Sequence, residues 1–351
     1  MNFARKLLDW YWKNKRDLPW RNTKDPYRIW LSEIILQQTR IEQGLPYYLK
    51  FTETYPTVKD LARAYEQSVL KLWQGLGYYT RARNLHLTAK VIQQDHLGKF
   101  PDTYQAIRNL KGVGDYTAGA IASIAFNLPY PAVDGNVMRF ITRLFGITES
   151  EGLSVTKKRI YELVSEYIDH RHPGDFNQAV MEFGARICTP VNPDCNHCIF
   201  KQKCIALKIN MVGKIPAKIP KPALHNRFIS YLVIIYSQNG ERFIFLNKRT
   251  GNDIWKNMFD FPWVEQSKEI KINLPMRNHK FKIILQSADF EYLGVSRQYE
   301  HLLTHQKLFV KFYRFHTKKT IDLPFIIIPL NQLHDYPIPK LIDRYLDENP
   351  L

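Results

Sequence analysis

A mainly helical N-terminal domain followed by a separate α+β domain is the fold class that the sequence predicts. Three observations predict it. Apolar residues recur at helical spacing through the first 205 residues, broken by short Pro, Gly and Asn interruptions, with no period-2 stretch of any length. From residue 228 the period changes to that of strands. A chain of 351 residues is also too long for one ordinary core and suits two domains.

The helical part divides into amphipathic segments at 2–14, 27–39, 58–63, 66–74, 81–94, 102–108, 115–127, 135–146, 155–168 and 174–186. Residues 206–227 hold four Lys, one Arg, three Pro and no acidic residue, which reads as a linker. Its charge suits a path along a phosphate backbone, a plain solvated linker being the alternative. Beyond it, FISYLVIIYS, RFIFLNKR, FKIILQ, KLFVKFYRF and FIIIPL read as strands, with helices expected near 268–273 and 337–347. The expected domains are therefore 1–205, a linker 206–227, and 228–351.

Composition narrows the class. Apolar content of 45% and charged content of 24% are those of a globular protein. No apolar run approaches ~18 residues, so no membrane-spanning segment is expected. The N-terminus lacks a secretory signal, and it runs straight into the first helix, against a mitochondrial presequence. A bacterial source and a cytoplasmic, nucleoid-associated location fit these features. Fifty Lys and Arg against 33 Asp and Glu give a net charge of +17. Nucleic acid or an anionic membrane surface would complement that excess, a merely basic protein being the alternative. The charge is spread along the chain without a polybasic tail or lipidation motif, which favours a folded binding surface.

Four motifs carry chemistry. All four cysteines lie in CTPVNPDCNHCIFKQKC, at Cys188, Cys195, Cys198 and Cys204. Disulfides suit a secreted chain, and structural zinc sites usually draw on two separated pairs. Four thiolates in one short irregular loop suit a [4Fe–4S] cluster better. Lys201 and Lys203 make this loop a candidate phosphate-facing knob. Second, LKGVG at 110–114 leads into a helix. Gly112 and Gly114 let the backbone approach an anion, which favours a phosphate-holding helix–hairpin–helix over a plain tight turn, and Lys111 adds charge there. Third, WLSEIILQQT sets Glu33 in an apolar helix beside Trp30, Leu36 and Gln37. An ordinary exposed glutamate is the simpler reading of this segment alone; a carboxyl held against an apolar face would be an acid near neutrality. Fourth, Asp134 stands just before an amphipathic helix. That is an N-cap position, and also one that can fix a carboxylate at a cleft mouth, with Asn136 beside it.

Together these stretches resemble the helix–hairpin–helix DNA glycosylase superfamily over residues 1–205. The marks are LKGVG, Asp134 twenty residues after Gly114, and the C-x6-C-x2-C-x5-C loop. Endonuclease III and the adenine DNA glycosylase (MutY) branch compete within it. In the former a lysine at the position of Tyr116 forms a Schiff base, which a phenol cannot do. LPWR, WLSEIILQQT, GLGYYTRARNLH, VDGNV and FNQAVMEFGARIC are similar to the MutY branch. The resemblance implies base-excision repair by a monofunctional glycosylase that removes adenine opposite 8-oxoguanine or guanine in duplex DNA. An endonuclease III-like bifunctional glycosylase and lyase is the alternative. It implies that Glu33 protonates adenine at N7, that Asp134 stabilises or captures the oxocarbenium-like sugar, and that Tyr116 and Asn136 support it. Gln38 and Tyr78 resemble residues that wedge into the base stack. A monomer acting on DNA is expected.

Residues 228–351 resemble the MutT-like (Nudix-fold) domain of the same branch, without the Nudix catalytic box. The expected role is recognition of 8-oxoguanine. Where relatives carry a Phe-Ser-His loop, this chain has Leu303, Thr304 and His305. Thr304 keeps a hydroxyl for the lesion, while Leu303 replaces the ring. Met138 stands where some relatives have a Lys, so that position supplies no amine.

Overall fold

The computed structural model describes residues 3–148, 153–217, 223–266, 279–285, 290–319 and 325–351. Contacts divide the chain into two compact units, 1–63 with 84–220 and 64–83 with 221–351.

The first unit is helical. Its elements are α1 (Phe3–Asn14), α2 (Pro26–Leu36), α3 (Ile41–Thr54) and α4 (Val58–Arg63), most of α6 (Thr80–Asp95), then α7 (Tyr104–Arg108), α8 (Asp115–Phe126), α9 (Gly135–Phe145), α10 (Leu153–Tyr167), α11 (Pro173–Arg186) and the short α12 (Ile205–Lys208). Local chemistry sets the boundaries. Asp25 accepts from the Tyr27 amide and Pro26 occupies the first turn of α2. Asn127 and Gly146 close α8 and α9 in left-handed conformations. Leu7, Leu8 and Tyr11 of α1 pack with Phe140 and Ile141 of α9 and Phe176, Val180 and Phe183 of α11. This packing seats α9 and α11, which carry much of the site, on one apolar core.

The helix α3 was not expected. Gly44-Leu45-Pro46 reads as a break, yet the helix runs through it with Pro46 inside. Ile41, Leu45, Tyr48, Phe51 and Tyr55 form its apolar stripe, and tertiary burial of Tyr48 and Phe51 overrides the local penalty. Of the stretch 206–227, Ala206 and Ile215 are buried and residues 225–227 begin a strand.

The second unit holds α5 (Glu66–Leu72) and a mixed sheet. Its strands are β1 (His225–Gln238), β2 (Glu241–Lys248), β3 (Phe259–Asp260), β4 (Trp263–Gln266), β5 (Glu291–Val295), β6 (Tyr299–Leu302), β7 (Gln306–Thr317) and β8 (Ile326–Pro329). The order is β3-β2-β1-β7-β5, with β4 on β1, β6 on β7 and β8 on β2. The pair β1–β7 is parallel along twelve residues, from His225 opposite Gln306 to Tyr236 opposite Thr317. β1 is buried through eight consecutive positions, as a central strand requires. The segment FKIIL, expected as a strand, is instead the helix α13 (His279–Leu285), with Phe281 and Leu285 packed on the sheet. A short apolar run does not distinguish the two, and here one-sided burial at i and i+4 decides. The helix expected near 337–347 is α14 (Lys340–Glu348). The one expected near 268–273 lies outside the described residues. Among the described residues no helix is long and apolar enough to cross a membrane.

Candidate active site

Within the helical unit, Glu33, Tyr116, Asp134 and Asn136 line one cavity of about 380 Å³, with Arg21 and Glu182 on its wall. That volume is in the range of small-molecule sites and admits a single nucleobase. Four residues from three separate helical segments, singled out in the sequence for chemistry, thus meet in one place.

Glu33 is not the exposed helix glutamate of the simpler reading. It is partly buried, and burial raises its carboxyl to about 7. A hydrogen bond with Tyr116 and the charge of Arg21 oppose this rise, while the charge of Asp134 adds to it. Tyr116 is the second residue of α8, and burial together with the charges of Glu33 and Asp134 keeps it a neutral phenol. Its hydroxyl also donates to the Met181 sulfur at 3.3 Å.

Asp134 is both N-cap and site residue. One oxygen accepts from the amides of Asn136 (2.9 Å) and Val137 (2.8 Å), and the other accepts from Asn136 Nδ2 at 2.7 Å. Burial raises its carboxyl above the ordinary value, and these bonds to the charged form offset only part of that rise. Asn136 Oδ1 accepts from Arg139 at 2.8 Å. Arg139 also donates to the carbonyls of Gly184 and Cys188, both at 2.7 Å. A continuous run of hydrogen bonds therefore joins Asp134 to the start of the cysteine loop.

Glu182 was not singled out in the sequence. It lies on α11 with its side chain 1% exposed, held by Arg16 and Arg21 at 2.7 Å each. Burial pushes its carboxyl up, but the two guanidinium groups outweigh burial and hold it at about 2. The available signal was a glutamate at the buried spacing of Ala179, Val180 and Phe183. Within the cavity, burial thus raises one carboxyl, Glu33, to about 7, while two guanidinium groups hold another, Glu182, at about 2. Such a division separates the acid from the fixed charge.

The other expected residues lie elsewhere. Gly112 has φ +82, and a side chain there would press on Asn84. Gly114 is the N-cap of α8, and Lys111 is exposed, so the LKGVG hairpin presents backbone and one cation to solvent. Arg108 pairs with Asp115 and donates to the Val113 carbonyl, bracing the turn. Gln38 is exposed with φ +57, at the junction of α2 and α3. In the second unit Tyr78 is 52% exposed with φ +48. Two exposed polar residues in left-handed backbone are costly, and such positions concentrate at functional sites. Thr304 and His305 form the exposed turn between β6 and β7, and they share a cavity of about 610 Å³ with Tyr78, Trp255 and His301.

The four cysteines line a cavity between α9 and the 188–204 loop. Arg143 orders that loop, donating to the carbonyls of Thr189 (2.7 Å) and Pro190 (3.2 Å) and to Cys188 Sγ (3.5 Å). Lys201 and Lys203 point to solvent. Among the described residues no three His, Cys, Asp or Glu side chains are gathered closely enough to hold one metal ion.

Comparison with known proteins first gives the class. Residues 31–166 match the HhH-GPD superfamily of base excision DNA repair proteins, and residues 231–348 match a NUDIX domain. A thermostable thymine-DNA glycosylase of known structure is 33% identical with a TM-score of 0.55, over 59% of this chain and 95% of its own. The fold is that of a helix–hairpin–helix DNA glycosylase, an enzyme that hydrolyses N-glycosidic bonds in base-excision repair. The adenine DNA glycosylase of Buchnera aphidicola subsp. Schizaphis graminum (strain Sg) is 34% identical over 98% of both chains. That of Buchnera aphidicola subsp. Acyrthosiphon pisum (strain APS) is 36% identical over 86% of this chain and 84% of its own. This chain belongs to the adenine DNA glycosylase family.

Proposed function

We propose that this enzyme removes adenine opposite 8-oxoguanine or guanine in duplex DNA by hydrolysis and leaves an abasic site. The observation that carries the reading is the pair Glu33 and Asp134 in one cavity, the first holding its proton up to about pH 7. Adenine leaves poorly as an anion, so it must be protonated to depart, and Glu33 supplies that proton at N7. The sugar then develops positive charge, and the Asp134 carboxylate lies beside it, as in glycoside hydrolysis. Tyr116 and Asn136 hold these two carboxyl groups in place. Tyr116 also supports the monofunctional reading, because a phenol cannot form the Schiff base that drives strand cleavage.

The base must leave the stack to reach the cavity, and Gln38 and Tyr78 fill the space that it vacates. Lys111 and the amides at Gly112 and Gly114 hold the phosphate backbone. Thr304 and His305 read the opposite base. Cys188, Cys195, Cys198 and Cys204 hold a [4Fe–4S] cluster. Four thiols from one short loop around a single cavity are the donor set that a [4Fe–4S] cluster takes. Such a cluster would tie the 188–204 loop together, with the exposed Lys201 and Lys203 as its candidate phosphate contacts. The protein acts as a monomer.

A labelled duplex with adenine opposite 8-oxoguanine tests this reading. Strand cleavage only after hot alkali is expected. Cleavage without alkali would overturn the monofunctional assignment, and an intact strand in both lanes would overturn the substrate.

A further inference from the structure

Asp134 follows a short irregular segment, Tyr130–Val133, between the end of α8 and the start of α9. That segment has no ladder partner. Two of its backbone groups, the Tyr130 carbonyl and the Ala132 amide, are held by one buried side chain, Asn177 on α11. Asn177 Oδ1 accepts from the Ala132 amide at 3.1 Å. Its Nδ2 donates to the Tyr130 carbonyl and to Ser123 Oγ on α8, both at 2.8 Å. All three polar functions of the side chain are used, and none faces solvent. From the opposite side α8 closes on the segment at Gly119, where a β-carbon would fall 2.1 Å from the Pro131 carbonyl oxygen.

We infer that Asn177 is a positioning residue for the Asp134 carboxylate. It fixes the segment two residues before Asp134 against α8 and α11, and so sets where that carboxylate meets the sugar. The inference rests on the proposed role of Asp134. Three hydrogen bonds on a fully buried side chain make a stiff mount, and a displacement of about 1 Å at a reacting group can lower a rate by about 10²-fold.

The test uses the full-length protein and two duplexes, each with 8-oxoguanine opposite a sugar mimic. One mimic is a neutral tetrahydrofuran and the other a cationic pyrrolidine. A correctly placed carboxylate makes the cationic duplex bind more tightly. Asn177→Ala is expected to lower single-turnover base removal by about 10- to 100-fold. The preference for the cationic mimic should fall by about the same order, with affinity for the neutral duplex unchanged. Ser123→Ala, which removes only one partner of Asn177, should move both readouts in the same direction by less, and it carries the test if Asn177→Ala does not fold. A folded variant with unaltered rate and preference overturns the positioning role. Equal loss on both mimics overturns it too, because general damage to the fold would not single out the charge. If the wild-type enzyme itself shows no preference for the cation, it is the role of Asp134, not the mount, that fails.

Discussion

The hydroxyl groups of Tyr78 and Thr304 lie 2.6 Å apart and share a hydrogen bond. One residue precedes α6, the other sits in the β6–β7 turn, and they are 226 positions apart in the chain. Tyr78 is set by its own loop: Trp73 donates to the Gly77 carbonyl at 3.0 Å, and Arg81 lies over the rings of both Trp73 and Tyr78. The group proposed to wedge into the stack is therefore coupled to the group proposed to read the lesion. Thr304→Ala should reduce discrimination between 8-oxoguanine and guanine opposite adenine. Tyr78→Phe keeps the ring and loses the shared bond, so it should reproduce part of that effect. An exposed bond of this kind contributes about 1 kcal/mol, and a double-mutant cycle on excision rates should give a coupling of that order. Additive effects would show that the two hydroxyls act independently.

Glu33→Gln removes the proton that adenine needs while keeping the side chain's shape. Base release should fall by about 10²- to 10⁴-fold, the usual contribution of a positioned general acid. Binding to the damaged duplex should persist, measured by gel shift with the same probe. Full activity would remove Glu33 from the mechanism.

The same carboxyl sets a pH dependence. Its affinity for the proton is raised to about 7, so the active form is present below that pH. Single-turnover rate should fall as pH rises through about 7, and Glu33→Gln should erase that limb. Stability follows the same sign. The folded chain holds this proton up to about 7, while the unfolded chain loses it near the ordinary 4.5. The stabilising contribution is complete below 4.5 and is lost as pH rises to 7. Glu33→Gln should therefore flatten the melting temperature between pH 5 and 7.5.

Most helices, the hairpin and the cysteine loop are legible in the sequence because local signals carry them: an N-cap at Asp134, glycines in LKGVG, and clustered thiols. The α3 helix is not, because Pro46 is tolerated only through tertiary burial. Nor is α13, whose seven apolar and basic residues fit either period. Glu33 is the instructive case. Its segment allows an exposed glutamate, and only α8 and α9, brought in from some 80 and 100 positions away, bury it. Glu182 was missed for the same reason. Its meaning depends on Arg16 and Arg21, about 160 residues distant.

Iron binding is checked directly. Purified protein should be brown, and metal analysis should give about four irons per chain if one cube is bound. Cys198→Ser should lose that colour and destabilise the 188–204 loop, seen as new proteolysis between Cys188 and Cys204. A colourless, iron-free protein that still excises adenine would mean that the loop is held by its contacts with Arg139, Arg143 and the helical core without a cluster.

Glu182 offers a separate handle on the acid. It neutralises Arg16 and Arg21 inside the cavity, and its partners' side chains are 34% and 8% exposed. Glu182→Gln leaves Arg21 buried without a counter-charge, which should cost about 3 kcal/mol of stability, read as a lower urea midpoint. The uncompensated Arg21 also acts on Glu33, whose proton affinity it already lowers. With its charge no longer balanced, that effect grows, and the ionised form of Glu33 is favoured. The limb of the pH–rate profile should move to lower pH in Glu182→Gln, so that activity at pH 7.5 falls more than activity at pH 5.5. A uniform loss at both pH values would mean that Glu182 holds the cavity's shape without tuning its acid.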